Sequence, residues 1–302
     1  MTEVWIISDG KPGHLNQSLG LAEALKRANP EISITTKPAL SRWQALAALL
    51  SKQLPDTSAS SQTPELVIGA GHRTHFSLLA YGRATGAKTV LLMKPSLPVK
   101  WFDLCLIPRH DRPDPAPNIE LTDGALNRMQ PLAARSAVDY DGMVLIGGPS
   151  KHFDWDDAAV VAQLSEITQG DKRWLLTTSR RTPDAFLDCL HAAALPNLDI
   201  VPFAETGDGW LAQHLPQARE CWVSGDSVSM VFEALTSGAA VGVLELSQQQ
   251  SNRITRGLQL LIDDGKVTAF SRWQETGSLE LPQRPFNEAS RCAALVHSRL
   301  LK

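Results

Sequence analysis

The stretch VWIISDGKPGHLNQSLGLAEAL, residues 4–25, decides the fold. It begins with a short apolar run, passes through a polar loop with two glycines, and ends with apolar residues at intervals of three or four. The first pattern is typical of a buried strand and the last of an amphipathic helix. The stretch therefore predicts a strand, a loop and a helix, which is the first half of a βαβ unit.

Short apolar runs and helical patterns alternate in the same way along most of the chain. Strands are predicted at 4–8, 32–37, 66–71, 89–93 and 103–108, and again at 143–147, 174–179, 198–201, 221–225 and 239–246. Helices are predicted near 15–28, 41–53 and 73–85, and again at 155–169, 183–194, 207–215 and 227–237. This alternation is typical of an α/β fold with parallel sheets.

The segment 109–141 separates two halves of this pattern. It begins with RHDRPDPAPN, which contains three prolines, and such polar, proline-rich composition is typical of a linker. A chain of 302 residues is also longer than most single hydrophobic cores. We therefore predict two Rossmann-like domains, residues 1–140 and 141–302, whose parallel sheets face a cleft.

Composition excludes several classes of protein. Hydrophobic residues make up 43% of the chain and charged residues 20%, as in ordinary globular proteins. The net charge is -3 and no dense Lys/Arg tract is present, so nucleic-acid binding is not expected. The four cysteines are scattered without a CxxC pair, so a cysteine zinc site or a CxxC redox motif is not expected. No signal peptide and no apolar run of transmembrane length is visible, which predicts a cytoplasmic protein and leaves a peripheral association with the inner membrane open.

The first loop carries candidate acceptor-side and catalytic residues. In open parallel sheets, ligands collect at the carboxyl ends of the strands. Gly10 and Gly13 are predicted to allow backbone turns there, and the following helix start attracts anions. A plain tight turn with Asn16 or Ser18 as the helix cap is the alternative. The density of polar groups favours a functional loop, whose candidates are Asp9, Lys11, His14, Asn16 and Gln17.

The third strand ends in GAGHRTH, residues 69–75. His72 lies where the next helix is predicted to begin. Its side chain either contacts a ligand or only caps and packs against the helix. His75 is predicted to be a surface residue of that helix.

The second half opens with VLIGGPSKHFDWDD, residues 144–157. Gly147, Gly148 and Ser150 form a loop of the kind that surrounds a phosphate with backbone N–H groups, and Lys151 adds a positive charge. No GK[ST] follows, so the loop is not a Walker A motif. The triplet Asp154–Asp156 has the form of a metal-binding DxD, but we favour a helix start with Asp154 as the N-cap and predict no metal.

Two further loops carry candidate donor-binding residues. In WLLTTSRRTPD, residues 174–184, adjacent arginines suit a diphosphate, although a solvated surface pair is the alternative. In CWVSGDSVSMVFEALTSGAAVGVLEL, residues 221–246, polar residues cluster at a helix start that either holds a pyrophosphate or is only capped. A glutamate within that helix can accept hydrogen bonds from a ribose diol. The candidates are Ser179, Arg180, Arg181, Asp226, Ser227, Ser229 and Glu233.

Two resemblances rest on these loops. The stretch 221–246 resembles the donor-nucleotide motif of GT-B glycosyltransferases, in which a Ser-rich helix start and a later Glu bind the nucleotide sugar, and their N-terminal Gly-rich loop also carries a histidine. Over residues 8–241 the chain resembles the mitochondrial-fission Elm family. The matching pieces are SDGKPGHLNQSLGLAEAL, GAGHRTH, FDLCLIPRHD, LTDGALN, VLIGGPSKHFDWD, LLTTSRRTP and GDSVSMVFEALTSGAAV. The chain departs from the family at GWLAQHLPQARE, residues 209–220, where an Asn-Pro-Tyr-like segment is usual.

The resemblances imply a metal-independent glycosyltransferase-like protein without a separate cofactor. A nucleoside-diphosphate sugar would bind in the interdomain cleft, and His14 or Asp9 would act as general base on an acceptor hydroxyl, with a membrane-associated glycan or lipid as one class of acceptor. The alternative is a noncatalytic nucleotide-binding scaffold or partner-binding protein of the same family. A nucleotide-sugar epimerase or NAD enzyme is disfavoured because GxGxxG and a Tyr-xxx-Lys pair are missing.

Overall fold

The structure, a computed structural model, describes residues 2–55, 63–134, 136, 138–248, 253–281 and 284–301. Its contacts divide the chain into two compact units. The first unit is Met1–Arg128 together with Asn287–Lys302, and the second is Met129–Phe286. The predicted boundary at 140/141 differs from this division, which falls earlier within the proline-rich segment 109–141.

Within the described residues, the first unit contains a sheet of six parallel strands in the order β2-β1-β3-β4-β5-β6. The strands are β1 (Glu3–Ser8), β2 (Ser33–Pro38), β3 (Leu66–Ala70), β4 (Lys88–Leu92), β5 (Leu104–Pro108) and β6 (Ile119–Thr122). Strands β3 and β5 are buried along their whole length. Such apolar runs are expected where helices cover both faces of a parallel sheet.

The helices of this part of the first unit are α1 (Pro12–Ala28), α2 (Arg42–Ser51) and α3 (His75–Thr85). Pro12 occupies the first turn of α1, where its missing N–H costs nothing. Helix α1 ends at Ala28, immediately before Asn29 and Pro30, as predicted from the proline. Helix α2 begins with a capping box in which Ser41 and Gln44 exchange hydrogen bonds.

The second unit repeats the architecture. Its described part holds a six-stranded parallel sheet in the order β12-β11-β10-β7-β8-β9. The strands are β7 (Gly142–Leu145), β8 (Trp174–Thr177), β9 (Leu198–Val201), β10 (Glu220–Ser224), β11 (Ala240–Leu244) and β12 (Thr268–Ala269). The helices are α4 (Asp157–Ile167), α5 (Asp184–Ala193), α6 (Trp210–His214), α7 (Val228–Ser237), α8 (Arg253–Asp263) and α9 (Phe270–Thr276).

The last helix, α10 (Glu288–Leu300), returns to the first unit. Its buried residues Cys292, Ala293 and Val296 join the core that contains Leu21 and Leu25 of α1. The prediction placed this segment in the second domain, whereas its apolar face packs with the first. None of the described helices combines the length and the apolar character that a membrane crossing requires.

Each sheet has one point at which the strand order reverses. The chain leaves β1 in one direction to β2 and then resumes on the other side at β3, and it likewise leaves β7 toward β8 and resumes at β10. The carboxyl ends of β1 and β3, and of β7 and β10, therefore flank a crevice of the kind in which α/β proteins bind ligands.

Candidate functional site

In the first unit, the loop after β1 holds a carboxylate against an imidazole. Oδ2 of Asp9 lies 3.0 Å from Nδ1 of His14, and the two side chains are 1% and 19% exposed. The backbone N–H of Lys11 donates to Oδ1 of Asp9 over 3.2 Å. An ionised carboxylate can only accept, so it favours the tautomer with the proton on Nδ1 and leaves Nε2 with a lone pair.

The pKa of Asp9 is lowered from its ordinary value. Burial of the carboxyl acts to raise the pKa. This effect is outweighed by hydrogen bonds from the Lys11 backbone and from His14, and by the positive charges of His14 and Lys11. Asp9 is therefore an anion at neutral pH, and its carboxylate can orient the ring of His14.

The ring of His14 lies against the end of β3. Gly71 follows this strand with φ of +81°, and a Cβ at this position would lie within 3.0 Å of Cε1 and Nδ1 of His14. Only glycine combines this left-handed backbone with so close an approach. The carboxylate–imidazole pair therefore lies at the reversal point of the first sheet.

The other acceptor-side candidates have different surroundings. Gly10 adopts φ of +81°, as a turn requires, but Gly13 lies inside the first turn of α1 with no atom near its missing Cβ. The helix begins three residues earlier than predicted, so no turn is needed at Gly13. Asn16 and Gln17 are half-buried on α1, and Nε2 of Gln17 lies 4.0 Å from the sulfur of Met93.

His72 is exposed and lines a cavity of about 420 Å³. The walls come from residues that follow β2, β3 and β4, and they include Arg42 and Arg73. Neither arginine has a carboxylate partner among the described residues. The cavity therefore offers positive charge at the carboxyl edge of the sheet, beside apolar wall residues such as Phe76.

The prediction that His75 is a surface residue was wrong. The side chain is buried, its Nδ1 lies 3.3 Å from Oγ of Ser96, and its ring meets Phe102 edge to face. Burial lowers the pKa of His75 to about 4, and the positive charge of His72 acts in the same direction.

In the second unit, Asp226 lies at the centre of the loops that follow β7 and β10. Its fully buried carboxylate accepts a hydrogen bond from Oγ of Ser224 over 2.7 Å and from the backbone N–H of Gly148 over 3.1 Å. Nη2 of Arg181 lies 2.6 Å from the same carboxylate. Asp226, predicted to bind the donor, therefore holds three protein groups in place.

The two glycines of the predicted phosphate loop are required by close packing. A Cβ at Gly147 would lie within 3.0 Å of the Asp226 carboxylate, and one at Gly148 would lie within 3.0 Å of the Arg181 backbone. Oγ of Ser179 donates to the carbonyl of Gly147 over 2.7 Å. The loops after β7, β8 and β10 thus form one hydrogen-bonded cluster.

The adjacent arginines differ in their surroundings. Arg181 donates from Nη1 to the carbonyls of Gly148 and Pro149, over 2.9 and 3.2 Å, in addition to its pair with Asp226. Arg180 is exposed and has no hydrogen bond or ion pair to any residue that the structure describes. Of the two guanidinium groups, that of Arg180 is the more available to a ligand.

The remaining donor candidates lie around this cluster. Oγ of Ser150 accepts from the backbone N–H groups of His152 and Phe153, while Lys151 is exposed. Ser227 is the N-cap residue of α7, Ser229 is exposed in its first turn, and Glu233 is half-buried further along it. The helix start near the DxD triplet is capped by Asp156, which accepts from Ala159, and not by Asp154.

The sequence matches a known protein family over most of its length. The sequence model of the mitochondrial fission ELM1 family matches residues 12–300. The chain belongs to this family. It is also 22% identical to the uncharacterized protein RP120 of Rickettsia prowazekii (strain Madrid E), and the match covers 97% of each chain.

Solved structures of other proteins share the fold of this chain. A UDP-GlcNAc 2-epimerase from Neisseria meningitidis, solved with UDP-GlcNAc bound, matches all of both chains with a TM-score of 0.54 at 10% identity. A glycosyltransferase from Rickettsia africae ESF-5 matches 100% of this chain and 99% of its own with a TM-score of 0.50 at 10% identity. The predicted GT-B-like fold of two Rossmann-like domains is thereby confirmed.

Sequence reasoning missed two contributors to the site of this ELM1 family member. Ser224, the last residue of β10, accepts from the Gly147 N–H over 2.7 Å and donates to Asp226. Arg42 enters the first-unit cavity from the start of α2. A serine that directly follows the apolar run 221–223 was a signal for Ser224. No local pattern links Arg42 to the residues that follow β3.

Proposed function

We propose that this protein is a metal-independent glycosyltransferase that uses a nucleoside-diphosphate sugar. The pair Asp9–His14 is the observation that carries the proposal. A buried anion that holds one ring nitrogen, and a second ring nitrogen with a lone pair, is the arrangement that a general base needs.

In the proposed reaction, Nε2 of His14 takes the proton of an acceptor hydroxyl. The oxygen attacks the anomeric carbon, and the bond from that carbon to the diphosphate breaks with its electron pair leaving on the diphosphate. Before the reaction, Asp9 accepts the hydrogen bond from Nδ1 of neutral His14. Asp9 then stabilises the imidazolium that forms. The proton later passes from His14 to solvent.

On the donor side, we assign the diphosphate to the loops of the second unit. The N–H groups at the start of α7, Ser229 and the exposed cations Arg180 and Lys151 supply hydrogen bonds and positive charge to a leaving diphosphate. Glu233, further along α7, is assigned to the ribose. The UDP-GlcNAc bound to the Neisseria epimerase of the same fold supports this class of ligand.

On the acceptor side, we assign the cavity beside His72. Its arginines, Arg42 and Arg73, favour an acceptor that carries an anionic group, and its apolar walls suit an attached apolar part.

The test is a panel of nucleotide sugars followed by thermal shift and by release of nucleoside diphosphate. We expect one donor to stabilise the protein and to be hydrolysed slowly, and H14N to lower that rate by about a hundredfold or more. H191N, which changes an exposed histidine of α5, is the matched control and should keep the full rate. If no donor binds, the proposal is wrong.

Two other outcomes would point to other functions. Donor binding without turnover, unaffected by H14N, would favour the noncatalytic scaffold. Conversion of the donor to another nucleotide sugar, without release of the nucleoside diphosphate, would favour an epimerase, since an epimerase shares the fold. The missing GxGxxG argues only against epimerases that hold a dinucleotide.

A further inference from the structure

Helix α2 buries two alanines and exposes three large apolar residues. Ala45 and Ala48 are buried and pack with Ala80 of α3. Trp43, Leu46 and Leu50, which share the opposite face at helical spacing, are 82%, 46% and 78% exposed. A helix that only stabilises a core buries its large apolar side chains. The exposed face of α2 therefore indicates a binding surface for another molecule or for a membrane.

The apolar surface continues beyond α2. Leu50, Phe76 of α3 and Trp101, in the connection between β4 and β5, line one groove of about 610 Å³. Phe76 and Trp101 are about half exposed. We call the surface formed by Trp43, Leu46, Leu50, Phe76 and Trp101 the α2 face.

Positive charge surrounds the α2 face. The exposed residues Arg42 and Lys52 lie at the two ends of α2 in the chain, Arg83 lines the groove, and the exposed Lys100 precedes Trp101 in the chain. None of the four has a carboxylate partner among the residues that the structure describes. The groove's own carboxylate, Asp103, is occupied by Lys88 at 3.0 Å and by Thr89.

We infer that the α2 face docks on an anionic membrane surface. Large apolar side chains with tryptophans, framed by Lys and Arg and with no acidic residue in the helix, match the chemistry of an interfacial helix lying in the headgroup region. The cations complement anionic lipid headgroups, and this charge complementarity selects a membrane over a neutral apolar partner. The inference goes beyond the proposed function and does not depend on it.

The experiment is co-sedimentation of the full chain with phosphatidylcholine vesicles that carry or lack phosphatidylglycerol. We expect binding to the anionic vesicles, weakened by salt, and little to the neutral ones. The variant W43S/L50S should lower the partition coefficient by about tenfold or more, because two large apolar side chains are lost. K52E/K100E should lower it by about tenfold and reduce its dependence on salt.

Folding and specificity need matched controls. L281S makes the same kind of change at an exposed leucine of the second unit, and it should bind vesicles as the wild type does. W43F keeps an apolar ring but should remove part of the quenching of tryptophan fluorescence by brominated lipids. Equal thermal unfolding of all variants would show that they are folded.

Three results would overturn the inference. The wild type could fail to bind anionic vesicles, or W43S/L50S could bind as well as L281S does. In analytical ultracentrifugation, the wild type could form a dimer that W43S/L50S dissociates, which would make the α2 face an interface between two copies of the chain.

Discussion

Nη2 of Arg181 lies 2.6 Å from Oδ2 of Asp226, whose side chain is fully buried, while the Arg181 side chain is 43% exposed. The pair joins the loop after β8 to the loop after β10, and the same carboxylate holds the loop after β7 through Gly148. The cluster formed by the loops after β7, β8 and β10 thus depends on one buried carboxylate. The Arg181 guanidinium group therefore stabilises the fold of the protein through its pair with Asp226.

R181M should reduce the free energy of unfolding by about 2 kcal/mol, because it leaves the Asp226 carboxylate buried with only neutral partners. The expected loss is below that of a fully buried pair, since Arg181 is partly solvated. Urea denaturation measures it. R180M, at the exposed neighbour, should change the unfolding free energy by less than about 0.5 kcal/mol. Equal losses in the two variants would contradict this assignment.

R180M should instead weaken ligand binding. If Arg180 meets the diphosphate, as we propose, its loss should raise the dissociation constant for a nucleoside diphosphate by about tenfold and flatten the dependence of affinity on salt. Isothermal titration calorimetry measures both. R219M, at another exposed arginine of the second unit, is the control and should bind as tightly as the wild type does. An unchanged affinity in R180M would remove Arg180 from the donor site.

G71A should disturb His14, whereas G86A should not. Both glycines have positive φ, +81° and +77°, so each substitution should cost about 1 kcal/mol of backbone strain. Only at Gly71 would the new methyl group meet the imidazole of His14. We expect a shift of the His14 ring signals in NMR spectra of G71A, and a transfer rate lowered by about a hundredfold. Similar spectra for G71A and G86A would show that the ring tolerates the methyl group.

The central parallel strands could be predicted because they are apolar runs buried on both faces. LVIGA and LCLIP are examples, and both are wholly buried strands. Strand β6 is half exposed and β12 has two residues, so neither presents such a run, and neither was predicted. The helices α8, α9 and α10 were also missed. The apolar face of α10 indicates that it packs, but no local pattern indicates that its partner is α1.

The candidate site could be predicted in its positions but not in its contacts. The strand-end rule selected the strand-to-helix stretches that contain Asp9, His14, Gly147 and Asp226. The strand order of the structure then places them beside the two reversal points. The partners of Asp226, however, lie 78 and 45 positions away in the chain, at Gly148 and Arg181. Distances of this kind depend on the register of neighbouring strands. For the same reason, His75 was misplaced: Ser96 and Phe102, which cover it, belong to the connection between β4 and β5.

His75 should make stability depend on pH above the range in which carboxylates titrate. Its pKa is lowered to about 4 in the folded chain, against an ordinary value of 6.5. As pH falls below 6.5, the unfolded chain takes up a proton that the folded chain does not, so unfolding becomes easier until pH reaches about 4. The stabilising effect of neutral His75 is therefore complete above pH 6.5 and is lost as pH falls through this window. The unfolding free energy of the wild type minus that of H75N should decline as pH falls from 6.5 to about 4. A flat difference for H75N would show that His75 titrates alike in both states.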